Sequence, residues 1–400
     1  MVESNFVSND TIAPQNLLKE SFETTGISLK DRYLAKQQET GLSNRQILKM
    51  LSMESKTLKS ILEGNAKRVN FLSVIKLANF LNISLSEIAI SYISTLNNSD
   101  IKEIQDAKDA AYIQENFDIK SLEYCFLKSK NLAVSQIAER IKVFFGFDSL
   151  YSYTNETITS AFSRTKRRTK NDLMRNFWVV SAYERFRLID NPNLYDREAL
   201  KKLIPKIRPY TMDVDHGFKM VMKALFKVGI TVIYQPSLKN VQVRGATMVI
   251  KHKPCVVICD FQKRYPTIWF SLLHELYHVL FDLEDIETET YHVSDGEGDV
   301  FLTNEQEADK FASDYLLNDS RLAFAKTYIK SPVMLNRFAF QCNVHPSIIY
   351  SRYCYESHDW KHYQQYIPKS DKALENINTN PFERDTLKET VKEIKALYNV

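Results

Sequence analysis

The sequence predicts a mainly helical protein, α+β overall, in which an N-terminal bundle of five helices is followed by a helical linker and a domain with a small β-sheet. Apolar side chains recur at helical spacing over most of the chain. The apolar run that contains Cys255, Ile258 and Cys259 indicates a strand. A length of 400 residues exceeds what one core usually supports, so two or three domains are expected.

Residues 29–97 carry the pattern of a helix-turn-helix bundle. Ser43 is a typical N-cap before an apolar-periodic run that reaches Leu51. After a short break a second helix begins at Ser55, and Gly64 ends it. Further helical periodicity follows from Phe71 onward. Two helices joined by a tight turn within a bundle of about five form the helix-turn-helix arrangement.

In such bundles the second helix of the pair presents its N-terminal residues to the base edges of the major groove. The candidate DNA-contacting residues are therefore Ser55, Lys56, Thr57, Lys59 and Ser60. The segment has ten basic and five acidic residues, whereas the whole chain has a net charge of +4. It is thus relatively basic, as contact with phosphates requires. The alternative is a helical docking module that does not bind DNA, because charge alone proves little.

The second informative region is a H-E-x-x-H pattern within an apolar helical run. His274 and His278 are four residues apart, so both imidazoles can reach one metal ion from the same helix face. Glu275 is placed to act as general base toward a water molecule at that ion. The surrounding residues are apolar nearly all round the helix, which predicts burial. Buried histidines need a partner, and Zn²⁺ is the simplest one.

The third metal ligand is expected from a second amphipathic helix downstream. Glu305 and Asp309 are four residues apart and share one face of it. We expect Glu305 to bind the metal and Asp309 to accept the free ring N–H of a ligand histidine. Glu307 is the reserve ligand. The alternative is a solvated acidic face without metal.

These motifs resemble known families. His274-Glu275-Leu276-Tyr277-His278, followed by Glu305-Gln306-Glu307-Ala308-Asp309-Lys310-Phe311-Ala312, is similar to the ImmA/IrrE family of zinc metallopeptidases. The runs 228–232, 244–247 and 254–258 resemble the strands that precede the zinc helix in that family, and 344–349 resembles a helical segment that follows it. The family usually has Gly where this chain has Tyr277. Residues 29–95 resemble XRE/Cro-type DNA-binding domains.

The resemblance implies a zincin-like domain that uses Zn²⁺ and Glu275 to hydrolyse peptide bonds in a specific regulatory protein, such as a repressor. The DNA-binding part implies a transcriptional regulator that binds a double-stranded operator, and symmetric operators lead us to expect a homodimer. One alternative is an antitoxin-like repressor, of the kind found in toxin–antitoxin modules, whose peptidase-like domain is a sensor or partner-binding surface. Another is a helical scaffold that binds neither DNA nor substrate.

The remaining regions complete the expected organisation. Five scattered Cys, with no C-x-x-C, indicate a reducing compartment and ordinary buried thiols. The absence of a signal sequence or of 18 consecutive apolar residues predicts a cytoplasmic protein without membrane contact.

The basic run at 164–170 is interpreted as a linker in preference to a segment that clamps DNA. Tyr291 and His292 are candidates to stabilise an oxyanion. The predicted regions are 1–28 (N-terminal extension), 29–97 (helix-turn-helix domain), 98–175 (helical connection), 176–330 (peptidase-like domain), 331–370 (small helical segment) and 371–400 (C-terminal amphipathic helix).

Overall fold

The chain is mainly helical with one small mixed sheet of four strands, which confirms the predicted fold class at that level. The structure is a computed structural model, and it describes residues 28–64, 69–93, 96–155, 170–239, 241–260, 262–289, 291–294 and 305–399. The chain forms two compact units, residues 1–108 and 109–400.

The first unit is a bundle with its own apolar core. Ser43 caps its second helix through reciprocal hydrogen bonds with Gln46, as its position in the sequence predicts. Ser52, in the left-handed region, ends that helix and starts the tight turn into the third. Leu29, Ile47 and Leu77 are fully buried at the centre. The helices of this unit are α1 (Leu29–Thr40), α2 (Asn44–Leu51), α3 (Ser55–Leu62), α4 (Phe71–Leu81) and α5 (Leu85–Ile93), and α6 (Asn98–Asn116) runs across residue 108.

The second unit has one continuous hydrophobic core that extends from Ile113 to Tyr398. The core includes the fully buried Trp178 and Trp269. The helices of this unit are α7 (Ile119–Leu122), α8 (Val134–Phe145), α9 (Ser152–Asn155), α10 (Lys170–Ile189), α11 (Arg197–Leu203), α12 (Gly217–Lys227), α13 (Tyr265–Phe281), α14 (Leu283–Glu289), α15 (Glu305–Leu317), α16 (Asp319–Lys326), α17 (Pro332–Gln341), α18 (Pro346–Ser357), α19 (Trp360–Tyr363), α20 (Asp371–Glu375) and α21 (Leu387–Tyr398). Single 3₁₀ turns lie at Ile204–Lys206, Arg208–Met212, Gln364–Tyr366 and Pro381–Glu383.

The sheet has the strand order β1-β3-β2-β4. Strands β1 and β3 pair in parallel, whereas β2 pairs antiparallel with β3 and with β4. The strands are β1 (Thr231–Tyr234), β2 (Gly245–Ile250), β3 (Lys253–Ile258) and β4 (Tyr291–Ser294). The first strand begins three residues later than the run 228–232 suggested. Gly229 instead forms a left-handed turn after α12, and a side chain there would collide with the carbonyl of Leu194.

The C-terminal helix α21 packs on the body of the second unit. The helical spacing predicts a shared apolar face of Leu387, Val391, Ile394 and Leu397, of which the first three are buried and Leu397 is partly buried. The Tyr398 hydroxyl accepts a hydrogen bond from the Val232 N–H and donates one to the Val232 carbonyl. It therefore satisfies backbone groups that the edge strand β1 would otherwise leave unpaired.

The five cysteines are free thiols, and four of them are buried. In the part of the chain that the structure describes, no single helix is long and apolar enough to cross a bilayer. The neighbours α4 and α5 together pass that test by length and composition, with a bend of 111° between them.

Candidate metal centre

The two histidines of the H-E-x-x-H pattern lie on the buried face of α13. This helix begins at Tyr265 with Pro266 in its first turn, where a missing N–H costs nothing. His278 is fully buried and His274 is 5% exposed. Glu305 opens the neighbouring helix α15 and brings its carboxylate to both imidazoles. Two helices far apart in sequence thus supply the three expected ligands.

The spacing of the three donor groups matches one metal ion. The two Nε2 atoms are 3.3 Å apart, and Glu305 oxygens lie 3.3 Å from the His274 Nε2 and 3.4 Å from the His278 Nε2. Tetrahedral zinc with bonds of about 2.0–2.1 Å separates its ligand atoms by about 3.3–3.4 Å. The described residues therefore fit Zn²⁺ in both donor type and distance.

Both imidazoles are oriented by carboxylates on their far side. The Nδ1 of His274 lies 2.9 Å from Asp309, and the Nδ1 of His278 lies 2.7 Å from Asp282. With a hydrogen on each Nδ1, both Nε2 atoms are directed toward each other and toward Glu305, where a metal ion could take their lone pairs. Asp309 takes the place expected for it. Asp282, four residues after His278, was not among the candidate residues, although helical spacing could have revealed it.

The electrostatic environment of the histidines favours positive charge. Burial alone would lower the pKa of His274, but hydrogen bonds from its ring to Asp309 and Glu305 outweigh it and raise that pKa to about 10. Burial also acts to lower the pKa of His278, but hydrogen bonds from its ring to Asp282 and Glu305 outweigh it and raise that pKa to about 9. The pKa of Glu305 is lowered, because hydrogen bonds from three histidines outweigh its burial. The carboxylates around the two imidazoles thus favour positive charge at this position.

Glu275 lies beside the candidate ligands with one oxygen held and one free. Its Oε2 accepts a 2.7 Å hydrogen bond from the Thr247 hydroxyl on β2. Among the described residues its Oε1, which is buried, has no hydrogen-bond partner, so this oxygen retains an unused acceptor. A Cβ at Gly245 would stand 2.5 Å from that Oε1, so any side chain at this position would displace the Glu275 carboxylate.

His292, on β4, contacts the third ligand. Its Nε2 lies 2.8 Å from the Glu305 Oε1, and its ring packs beside that of His278. It was considered above only as an oxyanion stabiliser, together with Tyr291. The observed contact makes it a positioning residue for Glu305.

Tyr277 and the reserve ligand Glu307 contact each other. The Tyr277 hydroxyl donates a 2.6 Å hydrogen bond to Glu307, and its ring packs against Phe281 and Phe311. Glu307 is thus bonded to Tyr277 between α13 and α15, whereas Glu305 is the carboxylate that lies close to both His274 and His278.

The candidate DNA-contacting residues lie at the start of α3 in the first unit. Ser55, Lys56 and Lys59 are exposed, and Thr57 and Ser60 are half-buried. Leu58 and Ile61 face the core of the bundle, as the amphipathic pattern predicts, and Leu62 is partly buried against it. The basic run at 164–170 lies outside the described residues, except for the backbone of Lys170.

No family model, no curated protein and no solved structure matches this chain.

Proposed function

We propose that this protein is a DNA-binding transcriptional regulator with a zinc-dependent endopeptidase domain that cuts a specific regulatory protein, such as a repressor. The observation that carries the proposal is the cluster of His274, His278 and Glu305, in which the two Nε2 atoms lie 3.3 Å apart and each is within 3.4 Å of a Glu305 oxygen, Oε2 for His274 and Oε1 for His278. The resemblance of its motifs to the ImmA/IrrE family supports the same activity. Helices α1 to α5, with their similarity to XRE/Cro domains, support operator binding.

The residues of the second unit have distinct roles in the proposed reaction. His274, His278 and Glu305 would hold Zn²⁺, and Asp309, Asp282 and His292 fix their orientation. When bound, Zn²⁺ supplies the Lewis acidity that lets a water molecule attack a peptide carbonyl near neutral pH.

Glu275 would carry the proton in this reaction. Its free Oε1 accepts the proton of the attacking water, while the Thr247 hydroxyl holds Oε2 in place. The same carboxyl then delivers that proton to the leaving amine, so that the carboxylate is regenerated. A Gln at this position keeps the shape but cannot accept the proton.

The second candidate function is an antitoxin-like repressor whose peptidase-like domain acts as a sensor or partner-binding surface. The contact of Tyr277 with Glu307 favours it, because this aromatic residue joins α13 to α15 where the similar family has Gly. The third alternative is a scaffold without metal, in which Glu305 would pair with the three histidines as a structural ion-pair cluster.

The test of the proposed function compares wild type with Glu275→Gln in the same cells. We expect both proteins to hold equal zinc by elemental analysis. New protein N-termini, detected by terminal labelling, should appear only with wild type. Equal sets of N-termini with wild type and variant would exclude proteolysis and leave the repressor reading. His216→Ala, at an exposed histidine outside the centre, is the matched control and should behave as wild type.

A further inference from the structure

The helices α16 and α17 carry large apolar side chains on their outer faces. Phe324 on α16 is 53% exposed and Phe340 on α17 is 71% exposed, and Val333 is exposed as well. Leu335 and Ala339, on the opposite face of α17, are fully buried, so this helix already has a complete contact with the core. Exposed apolar side chains grouped in this way commonly mark a site where another protein binds.

The apolar side chains of the two helices adjoin one another. The ring centroid of Phe324 lies 5.3 Å from that of Phe338 on α17 and 5.4 Å from that of Tyr328, which follows α16. Met334, one turn before Phe338, is exposed beside them. The apolar surface of α16 and α17 thus consists of Phe324, Tyr328, Val333, Met334, Phe338 and Phe340.

Positive charge borders this surface. The segment from the start of α16 to the end of α17 contains four basic residues and one acidic residue, Asp319, which pairs with Arg352. Arg337 is exposed and lies between Val333 and Phe340 on the outer face of α17, at a spacing of four and three residues. The charge of the surface is therefore complementary to that of an acidic partner.

Two arginines at one end of the surface add to this charge. Arg321 lies one turn before Phe324 on α16. Arg208 begins the 3₁₀ turn Arg208–Met212, and burial and the nearby charge of Arg321 lower its pKa. Both side chains are half-buried, and among the described residues no carboxylate pairs with either of them. A carboxylate from a partner would form charge-assisted hydrogen bonds with these guanidinium groups.

The mixture of side chains favours a protein partner over a nucleic acid. Phosphates would also match the arginines, and bases can stack on the phenylalanine rings. Val333 and Met334, however, offer aliphatic area that stacked bases do not use. Apolar side chains of a protein segment would bury this area together with the rings.

We propose that the apolar surface of α16 and α17 binds an acidic segment of a partner protein, whose carboxylates reach Arg208 and Arg321 while its apolar side chains cover the ring of Phe324. The surface contains no residue that is assigned to the candidate metal centre or to DNA contact. Binding there is therefore independent of both proposed functions.

Fluorescence anisotropy tests the proposal with a labelled synthetic peptide in which Glu alternates with Leu and Phe. All proteins carry Glu275→Gln, so that the peptide stays intact. The parent protein should bind this peptide saturably, and a peptide with Gln in place of Glu about tenfold or more weakly. We expect Arg321→Gln and Phe324→Ala each to lower the affinity for the acidic peptide by about tenfold, because a charge-assisted hydrogen bond or an aromatic contact is lost. Arg45→Gln and Phe71→Ala, at exposed residues of the same types in the first unit, are the matched controls and should retain full affinity.

Three results would overturn the proposal. They are absence of saturable binding of the acidic peptide, equal affinity for the peptide with Gln, and full affinity in both Arg321→Gln and Phe324→Ala. Circular dichroism checks that the variants keep the parent fold. A labelled single-stranded oligothymidine is the second probe, and its binding with loss in Arg321→Gln, in a protein that does not bind the peptide, would show a nucleic-acid site instead.

Discussion

The candidate metal centre and the surface of α3 differ in what holds their residues in place. At the metal centre the candidate ligands are positioned by other side chains, as Asp282 positions His278 and His292 positions Glu305. On α3, Lys56 and Lys59 are exposed, and only the helix beneath them is fixed by the core. The first kind of site depends on geometry, so one substitution can abolish it. The second depends on a sum of weak electrostatic contributions, so single substitutions act in small steps.

Loss of one ligand should have the largest effect. We expect wild type to hold about one zinc ion per chain and His278→Ala to lose it, because two remaining ligands do not complete a site of this kind. Elemental analysis of the purified proteins measures it, with His216→Ala as the control for an exposed histidine. Zinc retained at one ion per chain in His278→Ala would exclude this residue as a ligand. A folded wild type that holds no zinc after zinc is supplied would exclude the centre.

A smaller effect should follow from changing the residues that orient the ligands. Asp282 is 3% exposed and bonded to His278, so Asp282→Asn should weaken zinc affinity by about 10- to 100-fold. Asp309→Asn makes the corresponding change at a carboxylate whose side chain is 53% exposed, where solvent screens the interaction. We expect a smaller loss there. Competition with a chelator measures both affinities, and equal losses would show that burial of the partner does not matter.

The residues of the candidate metal centre show which contacts can be predicted from sequence and which cannot. The H-E-x-x-H spacing defined the shared face of His274 and His278, since helix geometry is local. The partners of that face come from the tertiary fold. The contact of His292 with Glu305 depends on β4 lying at the edge beside β2, which no local pattern specifies. Gly245 likewise looked like an ordinary strand residue, although its missing side chain makes room for Glu275.

The same distinction applies to the fold as a whole. Periodicity predicted α2, α3 and the buried face of α21, because each is an amphipathic helix against a core. It did not predict that Tyr398 would cover the edge of β1, a contact between residues 166 positions apart. Nor did it predict a cavity lined by Asp260, which depends on segment 371–378 packing against the strand ends.

On the α3 surface, two substitutions together should give a moderate and salt-dependent effect. We expect Lys56→Ala with Lys59→Ala to weaken binding to double-stranded DNA by about tenfold or more, because two phosphate-neutralising charges are lost. The slope of log affinity against log salt should fall by about two. Zinc content should not change. An unaltered slope in a DNA-binding protein would remove these lysines from the interface, and absence of any salt-dependent binding in wild type would favour the docking module.

The remaining expected effect is on stability and not on binding, at a charge that neither of these regions uses. Burial raises the folded-state pKa of Asp260 to about 6, above its value in the unfolded chain, although the Ser370 hydroxyl and Lys263 oppose that rise. The folded state therefore binds more protons between the two pKa values, and this carboxyl reduces stability as pH rises through that window. The Asp260→Asn variant has no carboxyl to titrate at this position, so it does not lose this stability as pH rises. Relative to wild type, its free energy of unfolding should rise by up to about 3 kcal/mol from pH about 4 to about 7. Denaturant unfolding at constant zinc measures the difference. A difference that does not change with pH would show that Asp260 is charged in the folded protein over the whole range.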